Sequence, residues 1–398
     1  MLHGAPPDVV RRALDDADPL PGTAGFAGAL PSDRDDDETL VRDVLGRYPL
    51  FVDEESGERA ASPTELANAR SFPPGYVRRP GDAELKRVWT LPDPEPFEDE
   101  QTAVAELRTA VRDGVDAAAS AASCRKSRFS STGLDERSSS ASTDPETGIA
   151  VAFSGGVDSA LVAAGLDAAG IDAPLYAGGF PESHDLDAAR SAAHAMGREL
   201  RVVEFDVDDV ERAVPEVARA IDRPDAMAVQ IALPLFLVAE RAASDGYTHL
   251  AVGQGADELF GGYAKVARAP EDPRVDADTV RGARDEMLET LPAQLERDVL
   301  ALRAAGVEPV APLLHDHVVE TALGLPGDAL VDDRGERKRA LRLAAREFVP
   351  DRIAFREKKA VQYGSLAARE LDRLAREAGF KRRMDDHVTE YVRSRIDE

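Results

Sequence analysis

Residues 148–170 read GIAVAFSGGVDSALVAAGLDAAG, and this stretch decides the fold. Residues 149–153 are a short apolar run of the kind that forms a buried strand. The Ser-Gly-Gly at 154–156 interrupts that run, because glycine permits the backbone conformations of a tight turn. An apolar helical segment then covers 157–170 and ends at a glycine. The stretch predicts a strand, a glycine-rich turn and a helix in direct succession.

The same alternation continues toward the C-terminus. Apolar runs predict three more strands, at 173–180, 199–205 and 249–253. Helical patterns lie between them, at 185–197 and 228–246. Such alternation is typical of an α/β protein with a doubly wound parallel sheet. We expect a mainly helical C-terminal part after Pro270 and a small β-rich N-terminal domain at 1–95. In sheets of this kind ligands bind beyond the carboxyl ends of the strands.

The turn at 154–156 has the chemistry of a phosphate site. Backbone N–H groups of a glycine turn and of a helix N-terminus attract anions, and the hydroxyls of Ser154 and Ser159 can donate to phosphate oxygens. A carboxylate at Asp158 does not favour phosphate directly, so it implies Mg²⁺ between the two. The Gly-Lys-Ser/Thr ending of a Walker loop is absent. A serine-capped helix after a turn would explain SGG alone, but the full SGGVDS favours the phosphate site.

A second loop, GQGADELFGGY at 253–263, narrows the function. SGGVDS resembles the pyrophosphate loop of ATP pyrophosphatases. The two loops together, with 177–197, 304–326 and 337–365, resemble the synthetase domain of asparagine synthetases and their β-lactam synthetase relatives. This resemblance covers roughly 148–370 and implies an adenine nucleotide α-hydrolase-like fold.

The resemblance also implies roles for individual residues. Asp158 and Asp257 match Mg²⁺-binding aspartates. Lys358 matches a lysine that stabilises charge on an acyl adenylate, with Lys359 as the neighbouring candidate. ATP and Mg²⁺ are the implied cofactors, and the residues matching nucleotide contacts are Ser154, Gly155, Gly156, Asp158, Ser159, Gly178, Gly253 and Gly255. Asp257, Gln254 and Lys358 are the catalytic candidates.

Two positions depart from the family pattern. Gln254 replaces a glutamate thought to take a proton from the attacking ammonia, and glutamine cannot act as a base. Either the nucleophile arrives already basic, or Gln254 recognises the acceptor through its amide. In the second departure, an acidic position of the acceptor segment becomes His315 and an arginine becomes Val310. His315 and His317 could also serve only in surface contacts or capping. These changes put aspartate in doubt as the acceptor.

The N-terminal part resembles late segments of a glutaminase domain. We interpret 1–95 as a shortened remnant, followed by an amphipathic helix at 96–122, a flexible Ser-rich linker at 123–147 and the catalytic domain at 148–398. Residue 2 is Leu where the family has its nucleophilic cysteine, and the one cysteine of the chain is Cys124. We therefore expect no glutaminase activity.

The composition of the chain limits the kinds of partner and the cellular location that we expect. The chain has 398 residues and a net charge of −26, with 75 acidic against 49 basic residues. Such acidity repels nucleic acid and anionic membranes and suits the cytoplasm of a salt-loving organism. No apolar stretch of membrane-spanning length or signal core is evident.

The favoured function is an ATP-dependent amide-forming ligase acting on a small carboxylate and ammonia or an amine. One alternative is a tRNA-modifying enzyme of the same superfamily. It would use a basic helical stripe at Lys338, Arg342 and Arg346, although those side chains could equally meet ATP phosphates or only solvent. Another alternative is a non-catalytic nucleotide-binding regulator. A homodimer is possible.

Overall fold

The computed structural model describes residues 1–31, 38–82, 84–124, 148–181, 183–269, 271–356, 363–384 and 386–396. Its centre is a five-stranded sheet in which every described pairing is parallel. The strands are β9 (Ile149–Ala152), β10 (Leu175–Gly179), β11 (Leu200–Glu204), β12 (His249–Ala251) and β13 (Glu308–Val310), in the spatial order β11-β10-β9-β12-β13. This confirms the predicted doubly wound α/β fold.

The strand order places a switch point between β9 and β12. The chain moves outward from β9 to β10 and β11, then returns to pair β12 with the other edge of β9. The connections that follow β9 and β12 therefore diverge, and a crevice opens between them at the carboxyl ends of the strands. Both sequence loops that carry the predicted site, 154–159 and 253–262, begin at this crevice.

Both faces of the parallel sheet are buried. Ile149 and Val151 of β9 belong to one apolar cluster and Ala150 to another, so successive side chains enter opposite layers. This is the reason for the continuous apolar run in the sequence. The helices that pack around the sheet, in chain order, are α2 (Glu100–Cys124), α3 (Val157–Ala168), α4 (His184–Ala195), α5 (Val207–Ile221), α6 (Ala226–Ser244), α7 (Ala256–Leu259), α8 (Val280–Ala304), α9 (Asp316–Leu323), α10 (Gly327–Leu330), α11 (Arg339–Ala345), α12 (Asp351–Ala354), α13 (Tyr363–Glu377) and α14 (His387–Ile396).

Helix α6 is long and apolar enough, by length and composition, to cross a membrane, and in the described part of the chain it is alone in this. The sequence pattern did not predict such a segment. Half of the helix is buried inside the protein, and its apolar side chains join those of α5 and α8 in one core cluster. Burial of this kind is what the central helix of a sheet layer requires.

The N-terminal part confirms the predicted β-rich domain. Its helix α1 (Pro7–Asp15) accompanies two antiparallel sheets, of order β1-β2-β3-β7-β8 and β5-β4-β6. The strands are β1 (Leu2–His3), β2 (Ala27–Leu30), β3 (Thr39–Arg42), β4 (Phe51–Asp53), β5 (Arg59–Ala60), β6 (Ala69–Ser71), β7 (Tyr76–Arg78) and β8 (Lys86–Arg87). The described residues show no full glutaminase domain; that this part is a remnant of one stays a prediction.

Buried ion pairs join the N-terminal part to the rest of the protein. Arg47 contacts Asp316 at 2.7 Å, and neither side chain is more than 3% exposed. Thr23 donates both its backbone N–H and its hydroxyl to the other carboxylate oxygen of Asp316. Arg42 pairs with Glu296 of α8 at 3.1 Å. Burial works against the charge of Arg47, yet Asp316 and Asp43 outweigh it and raise the pKa of the guanidinium.

Helix α5 and strand β13 are among the elements that were not predicted. Helix α5 lies in a stretch to which we assigned no element, and β13 extends the sheet within the part expected to be mainly helical. The amphipathic helix was predicted at 96–122, and α2 extends over Glu100–Cys124. The remainder of the predicted linker, 125–147, lies outside the described residues.

Candidate active site

The glycine-rich turn closes on itself between β9 and α3. Gly155 has a φ of +73°, and a Cβ on it would lie 2.7 Å from the carbonyl oxygen of Ala188. Only glycine avoids both the strain and the collision. The Ser159 hydroxyl accepts from the backbone N–H of Ser154 at 3.2 Å, and the two hydroxyl oxygens are also 3.2 Å apart. Both predicted phosphate-binding hydroxyls therefore stand together at the N-terminus of α3.

The second loop packs directly against the first. A Cβ on Gly253 would lie 2.9 Å from the Cβ of Asp158, so the close approach of the two loops requires glycine there. Gly255 has a φ of +83° and turns the chain into α7. This turn brings Asp257 to the same side of the crevice as Asp158, as the sequence predicts.

Lys338 joins the two aspartates. Its Nζ lies 2.7 Å from each carboxylate oxygen of Asp158 and 2.8 Å from Oδ1 of Asp257. The side chain is 3% exposed. Burial lowers the pKa of such an ammonium, but the two carboxylates outweigh burial and raise it, so Lys338 stays charged. We call these three residues the Lys338 cluster.

Helical spacing predicts that Lys338, Arg342 and Arg346 could form a basic stripe, or could meet ATP phosphates or only solvent, and the structure excludes the stripe. Arg342 is 5% exposed and donates to the backbone carbonyls of Arg337, Ala354 and Arg356. Arg346 pairs with Asp351 on the surface. The three side chains therefore do not form one exposed basic face. A signal was available in the scarcity of lysine, which supplies seven of 49 basic residues.

The Lys338 cluster fits a divalent cation bound together with a polyphosphate. Asp158 and Asp257 already converge on one cationic group, and carboxylate oxygens are the ligands that Mg²⁺ prefers. Among the described residues, no group of three or more His, Cys, Asp or Glu side chains could hold a metal by itself. Phosphate oxygens and water would have to complete the coordination shell, as is usual for Mg²⁺ in nucleotide sites.

A cavity of about 500 Å³ lies at the switch point and holds the predicted site. Asp158 and Ser159 line it together with Gln254 and Asp257. One wall is apolar and comes from α6, through Ile231, Pro234, Leu235 and Val238. The size and the mixed lining suit a nucleotide with a small acceptor beside it.

Gly178, at the end of β10, also lines the cavity. A Cβ there would lie 2.4 Å from Phe205 and 2.5 Å from Val238. The missing side chain lets α6 approach the sheet, which is a packing reason for glycine in addition to the predicted contact with adenosine.

The wall opposite the pyrophosphate loop is polar and comes from α8. Gln254 donates its amide Nε2–H to Oδ2 of Asp298 at 2.5 Å. Arg297 donates from Nε to Oδ1 of the same carboxylate at 2.7 Å. Burial raises the pKa of Asp298, and neither Arg297 nor the amide offsets that effect. We call Gln254, Arg297 and Asp298 the Asp298 cluster; the sequence analysis identified only the first of them.

Glu258 and Tyr263 complete the cavity. The Tyr263 hydroxyl donates to Oε1 of Glu258 at 2.5 Å. Burial, assisted by the nearby Asp257, raises the pKa of Glu258. Burial also raises the pKa of Tyr263, and the charge of Glu258 adds to the effect. The protonated, neutral forms of both side chains are therefore favoured more than in free side chains.

The structure places His315 away from the cavity. The Nδ1 atom of His315 accepts from the backbone N–H of His317 and so caps α9. The side chain packs against α2, since a Cβ on Gly114 would lie 3.1 Å from the Cβ of His315. Burial lowers the pKa of His315 despite the neighbouring Asp316. The cavity lining includes neither histidine. This supports the capping interpretation and leaves Gln254 as the departure that touches the site.

Lys358 and Lys359 lie outside the described residues. The chain is described up to Arg356, which donates to the backbone carbonyl of Ala188 at 2.9 Å. That carbonyl oxygen is also the atom that a Cβ on Gly155 of the pyrophosphate loop would meet first, at 2.7 Å. The catalytic role of Lys358 stays a prediction.

The sequence is similar to one family of known proteins over most of its length. The family described as asparagine synthase matches residues 138–286 and 276–396. A putative glutamine-hydrolysing asparagine synthetase of Methanocaldococcus jannaschii is 31% identical, over 62% of this chain and 51% of the relative. Asparagine synthetase B (glutamine-hydrolysing) of Escherichia coli is 26% identical, over 84% of this chain and 60% of the relative. A glutamine-hydrolysing asparagine synthetase of Bos taurus is 30% identical, over 53% of this chain and 39% of the relative.

The matches cover only part of each relative. The chain spans about half the length of the curated relatives it matches. The E. coli match covers a larger share of the chain than residues 148–398 supply, so it reaches into the part that precedes the pyrophosphate loop.

Proposed function

The chain belongs to the asparagine synthase family, and on that basis we propose that it is an ATP-dependent ligase that forms an amide. A carboxylate would attack the α-phosphorus of ATP, pyrophosphate would leave, and ammonia or an amine would then displace AMP from the acyl adenylate. The observation that carries the proposal is the Lys338 cluster, which joins the pyrophosphate loop to the loop after β12 at the switch point of the sheet.

The residues of the chain divide the first step between them. The hydroxyls of Ser154 and Ser159 and the ammonium of Lys338 would hold the oxygens of the departing pyrophosphate, where negative charge develops. Asp158 and Asp257 would hold Mg²⁺, whose charge would offset that of the triphosphate. The apolar wall from α6 would exclude water from the adenosine. Lys358 would stabilise charge on the adenylate in both steps.

Aspartate is the first carboxylate to test, and ammonia the first nitrogen donor. The relatives are named asparagine synthetases, and the departures at His315 and Val310 lie outside the cavity lining. Glutamine should not serve as donor, because the chain has one thiol, Cys124 at the end of α2.

The experiment is pyrophosphate release from ATP with a panel of carboxylates, with ammonia, glutamine or amines, and with tRNA as a separate arm. We expect release to depend on a small carboxylate and to be abolished in Asp158→Asn, which loses a charged ligand. Asp167→Asn, at the exposed end of the same helix, is the matched control. Near-normal release in Asp158→Asn would refute the site, and release that requires tRNA would support the RNA-modifying alternative.

A regulator without catalysis is the other alternative. It would bind ATP yet release no pyrophosphate with any acceptor. The buried positions of Lys338 and Arg342 argue against a broad RNA-binding face, because phosphate contacts need exposed cations. Retention of Asp158, Asp257 and Lys338 in one cluster favours catalysis over regulation.

A further inference from the structure

The second step of the proposed reaction has to remove a proton, and position 254, where the family resemblance implies a basic glutamate, holds the neutral amide of Gln254. Attack by an amine on an acyl adenylate forms a C–N bond and breaks the bond between the acyl carbon and the phosphate oxygen. The electron pair of that bond leaves with AMP. One proton on nitrogen must go to a base, or the amide does not form. A base in the cavity must therefore be sought among the carboxylates that line it.

Four carboxylates line the cavity: Asp158, Asp257, Glu258 and Asp298. The first two are held by Lys338. Glu258 follows Asp257 directly and accepts from Tyr263. Asp298 lies on α8, about forty residues after Asp257 in the sequence, and has its own partners in Gln254 and Arg297.

We propose that Asp298 is the group that accepts the proton of the nitrogen nucleophile, with Gln254 as the residue that positions its carboxylate. The inference rests on the proposed ligase function. In this step the amine nitrogen attacks the acyl carbon, Asp298 passes from carboxylate to carboxylic acid, and AMP departs with one additional negative charge. Proton and charge therefore balance without any further reactant.

The contacts of Asp298 suit this role. One oxygen accepts from Gln254 and the other from Arg297, so the carboxylate is fixed in orientation while its remaining lone pairs are available. Its side chain is 11% exposed, which limits competition from water. Burial raises the pKa of Asp298, and a base of higher pKa takes a proton more readily.

Few charged groups lie near Asp298. Arg297, on the same helix, is the charged group bonded to it, and the neutral Gln254 faces it from the loop after β12. Helix α7, which also packs on α8, contributes Asp257 and Glu258 to the same cavity. From the end of α5, Arg223 pairs with Glu296 instead, and Arg303 of α8 pairs with Glu308 of β13.

The test separates the two half-reactions in Asp298→Asn, with aspartate as the carboxylate. Exchange of pyrophosphate into ATP reports adenylation, and we expect it to be retained. The rate of amide formation from ammonia should fall by about 10²-fold or more near neutral pH. It should then rise more steeply with pH than in the unaltered protein, because hydroxide has to take the proton that Asp298 would have taken. Hydroxylamine, which is largely unprotonated at neutral pH, should still give a hydroxamate.

A second variant returns the carboxylate to the neighbouring position. Gln254→Glu in the Asp298→Asn background exchanges the two groups across a hydrogen bond, and we expect it to restore part of the rate at low pH. A purely structural role for Asp298 predicts no such recovery. Glu289→Gln, at an exposed position of α8, is the matched control and should change neither half-reaction.

The outcomes are distinguishable. Unchanged amide formation in Asp298→Asn, with an unchanged pH profile, would overturn the assignment. Loss of the hydroxamate with exchange retained would also overturn it, because Asp298 would then hold the nitrogen nucleophile in place and not move a proton. Absence of exchange in the unaltered protein would overturn the ligase function itself, and the assignment with it.

Discussion

Two clusters face the same cavity with opposite arrangements of charge. In the Lys338 cluster a cation lies between two carboxylates, and in the Asp298 cluster a carboxylate lies between a guanidinium and a neutral amide. The pKa of the central group is raised in both, but for different reasons. The partners of Lys338 outweigh burial, whereas burial of Asp298 outweighs its partners.

The difference indicates a division of labour. A raised pKa makes an ammonium harder to deprotonate, so Lys338 supplies a constant positive charge where phosphates would bind. A raised pKa makes a carboxylate easier to protonate, so Asp298 can exchange a proton. The first arrangement suits electrostatic stabilisation and the second suits general base catalysis. The predictions below test whether the two clusters can be separated in this way.

Removal of the Lys338 ammonium should have the largest effect. Lys338→Met leaves two partly buried carboxylates without their cation, and the loss of stability should approach the ~3–5 kcal/mol typical of breaking a fully buried pair. The rate of pyrophosphate exchange should fall by about 10²–10³-fold, as when one preorganised donor is lost. The measurements are thermal unfolding and exchange kinetics.

Added Mg²⁺ sharpens this prediction. It should raise the melting temperature of Lys338→Met more than that of the unaltered protein, because the freed carboxylates gain a replacement cation. Lys381→Met, at an exposed position, should behave as the unaltered protein does. A variant of Lys338 that melts normally and responds to Mg²⁺ normally would show that the cluster does not hold the loops together.

A methyl group on Gly253 should have an intermediate effect, confined to the Lys338 cluster. In Gly253→Ala the new Cβ meets the Cβ of Asp158 at 2.9 Å and the backbone nitrogen of Ser159 at 3.1 Å. Overpacking of this kind costs about 1–3 kcal/mol, and we expect weaker binding of Mg·ATP by calorimetry. Gly327→Ala is the control, since its nearest neighbour lies at an ordinary 3.7 Å. Equal affinity in the two variants would contradict the close approach of the loops.

The smallest effect concerns the dependence of stability on pH. The pKa of Asp298 is higher in the folded protein than in the unfolded chain. Its contribution to stability is therefore present below the unfolded pKa of about 3.9 and is lost as the pH rises through the folded pKa. The melting temperature of Asp298→Asn, relative to the unaltered protein, should therefore rise between about pH 4 and pH 7. The corresponding change in the free energy of unfolding should be less than about 1.4 kcal/mol per pH unit.

The same pH series distinguishes the clusters. For Lys338→Met the difference in melting temperature should have the opposite slope, with a larger loss at higher pH, because Asp158 and Asp257 repel each other once both are charged and no longer share the ammonium. Glu289→Gln should give a flat difference. A slope of opposite sign in Asp298→Asn would mean that Arg297 outweighs burial.

Most of the fold could be predicted because its signals are local. The apolar runs of β9 to β12 and the helical patterns between them are contained in short windows of sequence, and the two glycine loops have recognisable chemistry. Strand β13 was harder to predict, because Glu308–Val310 includes a proline and only three residues. Its strand character depends on pairing with β12 from about sixty residues away in the chain.

The site divides in the same way. Asp158, Ser159 and Asp257 could be found because each lies beside the glycine turn that places it. Asp298 lines the cavity, and Lys338 contacts two aspartates that line it. Both come from elements that are distant in sequence, and nothing in their sequence neighbours shows these positions. Helical spacing even suggested a surface role for Lys338. Contacts between remote segments are set by the folded topology, which a single sequence does not display.

The buried ion pairs of the N-terminal part have a consequence for how the protein unfolds. Detachment of that part would break the buried Arg47–Asp316 and Arg42–Glu296 ion pairs and would expose the apolar side chains that it buries in one core cluster with the parallel sheet. An intermediate that keeps the parallel sheet folded while the N-terminal sheets melt is thus disfavoured. The described parts of the chain should lose their structure in one cooperative transition, with calorimetric and van't Hoff enthalpies in agreement.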